Sequence, residues 1–199
     1  MAQTHVLDRF NLEQATVLLI DDNAPALDML SSIIKGYGVR DHICCASAAA
    51  ATEVVRQRQI DLILVDCSQP QMDGYDFVRW LRRETPDPTC RTPAIMLTAN
   101  AAPSDVQRSR DCGASFVVAK PLKPRVLLQR ILWLANDTRE FIQCESYVGP
   151  DRRVRNFGPP LGTPGRREGD LSAHVGAAVE GNMAQSDIDT LIMPRRVAL

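Results

Sequence analysis

Five polar side chains stand at the ends of short apolar runs: Asp21 and Asp22 after Thr16 to Ile20, Asp66 after Leu62 to Val65, Thr98 after Ala94 to Leu97, and Lys120 after Ser115 to Ala119. If the runs are parallel strands, these groups share the sheet edge beyond the strands' carboxyl ends, where ligands bind in open α/β folds. Three carboxylates so close together repel one another unless a divalent cation neutralises them, and an all-oxygen donor set suits magnesium or a similar hard ion. Such an ion keeps several waters and accepts a phosphate oxygen. Thr98 and Lys120 then offer a hydrogen-bond donor and a positive charge to the remaining phosphoryl oxygens, which matches the demands of phosphoryl transfer. Taken singly, each residue has a plainer reading: aspartates and threonines at strand ends cap helices, and a lone lysine is a solvated surface group. Capping does not require this combination at these spacings.

The elements that must position these groups follow from the apolar pattern. A further run, His42 to Cys45, brings the count to five, and segments with helical spacing lie between and after the runs. Alternation of this kind is the mark of a parallel sheet covered by helices on both faces. The first helix has Asn23 as a candidate N-cap and Pro25 in its first turn, puts Leu27, Leu30 and Ile34 on one face, and stops at Gly36 and Gly38. The second runs from Ser47 to Gln59 and is rich in strong helix formers. The third starts near Gly74, buries Phe77, Val78 and Leu81, and ends at Thr85-Pro86-Asp87-Pro88. A fourth spans Pro103 to Cys112 with Gly113 as its stop. The fifth begins at Pro124 and is the most apolar, ending near Asn136. The expected fold is α/β: a five-stranded parallel, doubly wound (βα)5 sandwich of the flavodoxin-like kind, with an irregular C-terminal tail.

Five stretches carry a resemblance: LLIDD (Leu18 to Asp22), DLILVD with CSQPQMDG (Asp61 to Gly74), PAIMLTA (Pro93 to Ala99) and GASFVVAKP (Gly113 to Pro121). In this order and spacing the chain resembles the receiver domains of bacterial two-component response regulators, over about Thr16 to Asp137. The resemblance implies that Asp66 is the phosphoacceptor, taking a phosphoryl group as an acyl phosphate from a histidine kinase or phosphotransfer protein. It implies that Asp21, Asp22, Asp66 and the main-chain carbonyl of Ser68 hold magnesium. By the same likeness Lys120, followed by Pro121, pairs with the phosphoryl group, and Thr98 swings towards it as the switch hydroxyl. Pro70 and Gly74 fit the loop that shapes the site. Two positions depart from the family pattern. Val117 stands where a switch aromatic is usual, with Phe116 beside it, so the coupling is expected to be weaker or routed differently. Gln69 stands where methionine often precedes the loop proline.

The division expected is a lead over 1–15, the receiver over 16–137, and a tail over 138–199 that is rich in Gly, Pro and Arg before turning acidic. Such a tail cannot offset its ordering entropy and is read as largely disordered and of little weight in the core. The competing reading has Phe141, Tyr147, Val148 and Phe157 packing back on the receiver. Near the end, Ile188, Leu191, Ile192 and Met193 look capable of one short helical turn. The 199 residues carry a formal net charge of -1, which argues against nucleic acid as the main partner. The start lacks a secretory signal and no apolar run would span a bilayer, so a cytoplasmic protein is expected. The six cysteines lack paired C-x-x-C spacing and read as small buried hydrophobes.

The function expected is that of a stand-alone signalling module, not an enzyme beyond assisting its own magnesium-dependent phosphorylation and dephosphorylation. Its output is altered binding to an unidentified downstream protein. The resemblance places the altered surface on the fourth helix, fifth strand and fifth helix, about Ala101 to Ala135, and self-association as a homodimer would use that face. The alternatives are a phosphotransfer intermediate or phosphate sink with the same site chemistry, and a scaffold tethered by the arginine-rich tail.

Overall fold

The computed structural model of the chain describes residues 12–152 and 183–192. Its elements in order are β1 (Thr16–Ile20), α1 (Ala24–Gly36), β2 (Asp41–Cys45), α2 (Ala48–Gln57), β3 (Leu62–Asp66), α3 (Gly74–Glu84), a 3-10 turn (Thr89–Arg91), β4 (Ala94–Thr98), α4 (Pro103–Asp111), β5 (Phe116–Ala119) and α5 (Pro124–Ala135). Beyond these lie β6 (Phe141–Cys144), β7 (Tyr147–Pro150) and α6 (Gln185–Ile192). The five strands and five helices expected over 16–137 are all present, with ends displaced by one or two residues.

The main sheet is parallel and runs β2-β1-β3-β4-β5, the flavodoxin-like order. Its central strands β3 and β4 are buried along their whole length, because helices cover both faces and every side chain must be tolerated in an apolar layer. On one face α1 and α5 adjoin, the Tyr37 hydroxyl at the end of α1 donating to the carbonyl of Pro124 at 2.5 Å. On the other face α2 packs on α3, and Arg108 of α4 meets Asp73 at the start of α3 at 2.6 Å.

Local chemistry starts the helices where they are needed. Asn23, Ser47 and Asp73 each accept a backbone N–H from the first turn of α1, α2 and α3. Helices α4 and α5 begin instead with a proline, which has no N–H to satisfy. Ser47 thus caps α2 and is not part of it.

Among the residues from 138 onward, the described stretches are ordered and packed. Strands β6 and β7 form an antiparallel hairpin that lies against α3, with Tyr147 and Val148 buried. Its seat is the buried Arg82 of α3, whose guanidinium donates to the carbonyls of Gly113, Cys90 and Thr92 at 2.9, 2.7 and 2.8 Å. Arg82 also stacks on Phe141. A side chain at Gly149 would strike the Tyr147 ring and Gly113, so a glycine there lets hairpin and receiver backbones approach. The expectation of a tail adding little to the core therefore does not hold for this hairpin or for α6, whose Ile188 and Ile192 join the main buried cluster. Phe157, Met193 and the lead residues 1–11 lie outside the described residues. Among the described residues no helix is long and apolar enough to cross a membrane.

Candidate functional site

The carboxyl ends of β1, β3, β4 and β5 deliver Asp21, Asp22, Asp66, Thr98 and Lys120 to one edge, as their spacing predicts. Carboxylate oxygens of Asp21, Asp22 and Asp66 all lie within 4.8 Å of one another. The Lys120 ammonium bridges two of these acids, 2.5 Å from Asp66 Oδ1 and 2.9 Å from Asp21 Oδ2. Asp66 Oδ2 accepts the N–H of Ser68 at 3.0 Å. Asp21 Oδ1 accepts the N–H of Asn23 at 2.9 Å. Asp21 and Asp66 are thus buried and fixed, whereas Asp22 is exposed.

Burial pushes the Asp66 carboxyl above the usual carboxylate range, and the nearby Asp21 charge adds to this, while Lys120 and the Ser68 N–H pull it down less strongly. Burial also opposes the charge on Lys120, but its hydrogen bonds and attraction to Asp21 and Asp66 outweigh that and raise its pKa. Lys120 thus pairs with acids that are poorly solvated and lie beside a third carboxylate.

That crowding is what a divalent cation would relieve. The donors are all oxygen, they converge, and the exposure of Asp22 leaves the cluster reachable by solvent, so the set fits a hard, partly hydrated ion.

The Thr98 hydroxyl sits on its own loop, donating to the carbonyl of Asn100 at 2.5 Å and accepting that residue's N–H at 3.1 Å. The N–H of Lys120 donates to the Thr98 carbonyl at 2.7 Å, tying the two strand ends together. Val117 pairs with Met96 in the register that pairs Ala119 with Thr98, so Val117 and Thr98 share a sheet face. Phe116 packs edge-on against Trp133 of α5, with ring centroids 4.7 Å apart, on the opposite face. It therefore cannot take the part of the aromatic that Val117 lacks.

The loop after β3 is shaped by close approach. A Cβ on Gly74 would collide with the Asp66 carbonyl, so the residue that opens α3 must be glycine for the acceptor strand to lie against it. Gln69 accepts the N–H of Ala48 at 2.9 Å, anchoring the loop to the start of α2. Burial pushes the Cys67 thiol up to about 12, so it is no competing nucleophile at neutral pH. Cys45, Cys67, Cys90 and Cys112 are buried as expected of small hydrophobes, but Cys44 and Cys144 are exposed.

A cleft of about 480 Å³ opens over the site and is lined in part by Asp22, Ser68, Thr98, Tyr75 and Arg108. Sequence reasoning missed the last two. Arg108 lies 4.0 Å over the Tyr75 ring while pairing with Asp73. Neither residue sits at a strand end, and an arginine on a polar helix face carries no signal of what it meets across the fold.

The family model described as the response regulator receiver domain matches residues 17–132. The DNA-binding response regulator MtrA of Mycobacterium tuberculosis is 33% identical over 115 residues, which is 58% of this chain and 48% of that protein. The chain thus spans about half the length of the curated relatives of this kind that it matches. The receiver domain of a sensor histidine kinase from Pseudomonas aeruginosa, solved with a magnesium ion coordinated in its active-site cleft, is 32% identical. It superposes with a TM-score of 0.54 over 60% of this chain and 95% of that one. The signal receiver domain of a signal transduction histidine kinase from Syntrophus aciditrophicus gives 30% identity and a TM-score of 0.55, covering 66% and 98% of the two chains. With a family match across more than half its length and the strand order that goes with it, this chain belongs to the response regulator receiver family.

Proposed function

We propose that this chain is a signalling module that takes a phosphoryl group on Asp66 from a histidine kinase or histidine phosphotransfer protein and reports it through altered binding to a protein partner. The observation that carries this reading is the Lys120 ammonium held between Asp66 and Asp21 beside a third carboxylate. A purely structural ion pair has no use for that third acid.

Asp21, Asp22, Asp66 and the Ser68 carbonyl would hold magnesium, as the Pseudomonas receiver holds it in its own cleft. When bound, the ion would supply charge neutralisation for the incoming phosphoryl group. An oxygen of the Asp66 carboxylate bonds to phosphorus as the bond from phosphorus to the donor's imidazole nitrogen breaks. That nitrogen keeps the electron pair and takes a proton from water. Lys120 then transfers its hydrogen bond from Asp66 Oδ1 to a phosphoryl oxygen, and Thr98 leaves Asn100 to donate to another. The step adds about -1.5 to -2 charges at the sheet edge, which becomes a signal only if two conformations differ in their affinity for it. We assign protein and not DNA as the partner because the net charge of -1 provides no basic surplus for phosphate backbones. The receiver unit in this reading is 16–137, with the β6–β7 hairpin as a packed extension.

The test is incubation with acetyl phosphate and magnesium, read by intact mass and peptide mapping, for the wild type and Asp66→Asn. Labelling confined to the peptide bearing Asp66 and lost in the variant is expected; undiminished labelling of the variant would overturn the assignment.

A further inference from the structure

We propose that α6 is a built-in occupant of the open edge of β5, clamped at two backbone points next to the phosphoryl site, and that phosphorylation of Asp66 releases it to free the α4–β5–α5 face for a partner. This inference rests on Asp66 being the acceptor.

Among the described residues strand β5 ends the sheet, and one side of its backbone has no neighbouring strand. Among the described residues a side chain meets that side: Gln185, the first residue of α6, donates through Nε2 to the Val117 carbonyl at 3.1 Å and accepts the Ala119 N–H on Oε1 at 2.9 Å. One amide thus reproduces the donor and acceptor pair of a missing strand. Immediately before the helix, the N–H of Met183 donates to the Ala101 carbonyl at 2.7 Å. Ile188 is fully buried and Ile192 nearly so, at the four-residue spacing that puts both on one helix face. Asp189 forms an ion pair with the buried Arg130 of α5 and also accepts from Gln185 at 3.0 Å. Strand edge, α5 and the loop leading into α4 all hold the same short helix.

The placement of the two backbone clamps makes this contact responsive. Ala119 immediately precedes Lys120, and Ala101 follows directly on Asn100, whose carbonyl and N–H engage the Thr98 hydroxyl. Lys120 and Thr98 are the two side chains that a phosphoryl group on Asp66 would draw inward. For Thr98 to donate to a phosphoryl oxygen it must let go of the Asn100 carbonyl, which frees the loop that holds Met183. For Lys120 to follow the phosphoryl group, the Ala119 N–H next to it must shift against Gln185. An eight-residue helix is too short to persist alone in water, so loss of these clamps leaves only the burial of Ile188 and Ile192 and the Asp189–Arg130 pair to hold it and shifts the balance towards release. A second copy or another partner cannot use the β5 edge while α6 is seated there.

Amide hydrogen exchange on the 199-residue chain tests this, with intact mass recording phosphoryl occupancy in the same samples. With acetyl phosphate and magnesium, exchange across residues 185–192 should speed up by about tenfold, within the usual range of coupling between two sites, while β1 and β3 stay protected. Phosphoryl occupancy with unchanged or slower exchange in 185–192 overturns the release while leaving the acceptor assignment standing; no phosphoryl gain on Asp66 overturns both. Gln185→Ala and Ile188→Asp should each raise exchange in 185–192 of the unphosphorylated chain. By reciprocity each should also tighten binding of beryllofluoride, a reversible phosphoryl mimic, by a similar factor. Equal beryllofluoride affinity in both variants and wild type would show that helix and site are uncoupled.

Discussion

The Lys120 ammonium lies nearer to the acid of another strand, Asp66 Oδ1 at 2.5 Å, than to Asp21 at 2.9 Å, and so links the ends of β5, β3 and β1 through one side chain. Both acids are buried, so Lys120 is the local counterweight to a doubly acidic pocket. Replacing it by methionine should destabilise the metal-free protein by about 3 kcal/mol, the range for leaving a buried charge without its partner. Adding Asp66→Asn to that variant should restore part of the loss. A double-mutant cycle by urea denaturation measures the coupling, and additive effects would mean the pair is energetically idle.

Asp21 and Asp22 are adjacent in sequence but differ in what the fold asks of them. Asp21 is buried and accepts from both Asn23 and Lys120, so Asp21→Ala should cost about 1 to 3 kcal/mol through unsatisfied donors. Asp22 is exposed, and its removal eases repulsion, so Asp22→Ala should leave the metal-free fold at least as stable. Both should lose the magnesium dependence of phosphorylation, measured by titrating the metal at fixed acetyl phosphate. A wild-type magnesium profile in Asp22→Ala would remove that residue from the ligand set.

Val117 is small and stiff at χ1, and Phe116 points to the other face against Trp133. The phosphorylation signal should accordingly travel through the Thr98–Ala101 loop and α4. Backbone amide chemical shifts on adding beryllofluoride should be marked across Ala99 to Arg110, besides those at Ala119 and residues 185–192 where the Gln185 contacts are proposed to break. Shifts centred on Val117 with that loop unchanged would show a different route.

The hairpin should contribute to stability in a way a free tail would not. A chain ending after Arg152 keeps β6 and β7, and one ending after Asp137 loses them together with the burial of Tyr147 and Val148. Full burial of one such apolar side chain stabilises by about 1.5 to 3 kcal/mol before ordering entropy is subtracted. The shorter chain should therefore be less stable than the longer by at least about 1 kcal/mol in chemical denaturation. Equal stability would make the hairpin a passive passenger.

Tyr147 offers a pH readout of the same packing. Its hydroxyl donates to the Pro150 carbonyl at 2.6 Å, and burial pushes the phenol from 10.0 up to about 12. The folded state thus holds the proton more tightly than the unfolded state. The stabilisation is fully present below pH 10 and is lost as pH rises through about 12. The stability difference between wild type and Tyr147→Phe should shrink by roughly 2 to 3 kcal/mol across that window. A difference that stays constant with pH would mean the phenol is solvated.

The parallel sheet was legible in the sequence because β3 and β4 are apolar on both faces and each run stops at a polar residue. The site was legible for the same reason: in this architecture a residue at a strand's end is already placed. What escaped depends on contacts that sequence spacing does not encode. The hairpin rests on Arg82, Gly113 and Gly149, drawn from distant parts of the chain, and its strands are only four residues long. Ile188 and Ile192 mark α6 as a helical turn, yet nothing in a lone glutamine at 185 says that it will complete a strand edge. Tyr75 and Arg108 became visible as cleft residues only once α3 and α4 were side by side.

A glutamine side chain that stands in for a strand also acts as a guard. The outward backbone of β5 runs along Phe116, Val117, Val118 and Ala119, an uncharged edge whose donors and acceptors another chain could pair with once it is uncovered. While Gln185 occupies that edge, another molecule cannot extend the sheet there. If α6 lifts away as proposed, that edge is uncovered at the same moment, so the released conformation would be the one more open to pairing with a second chain.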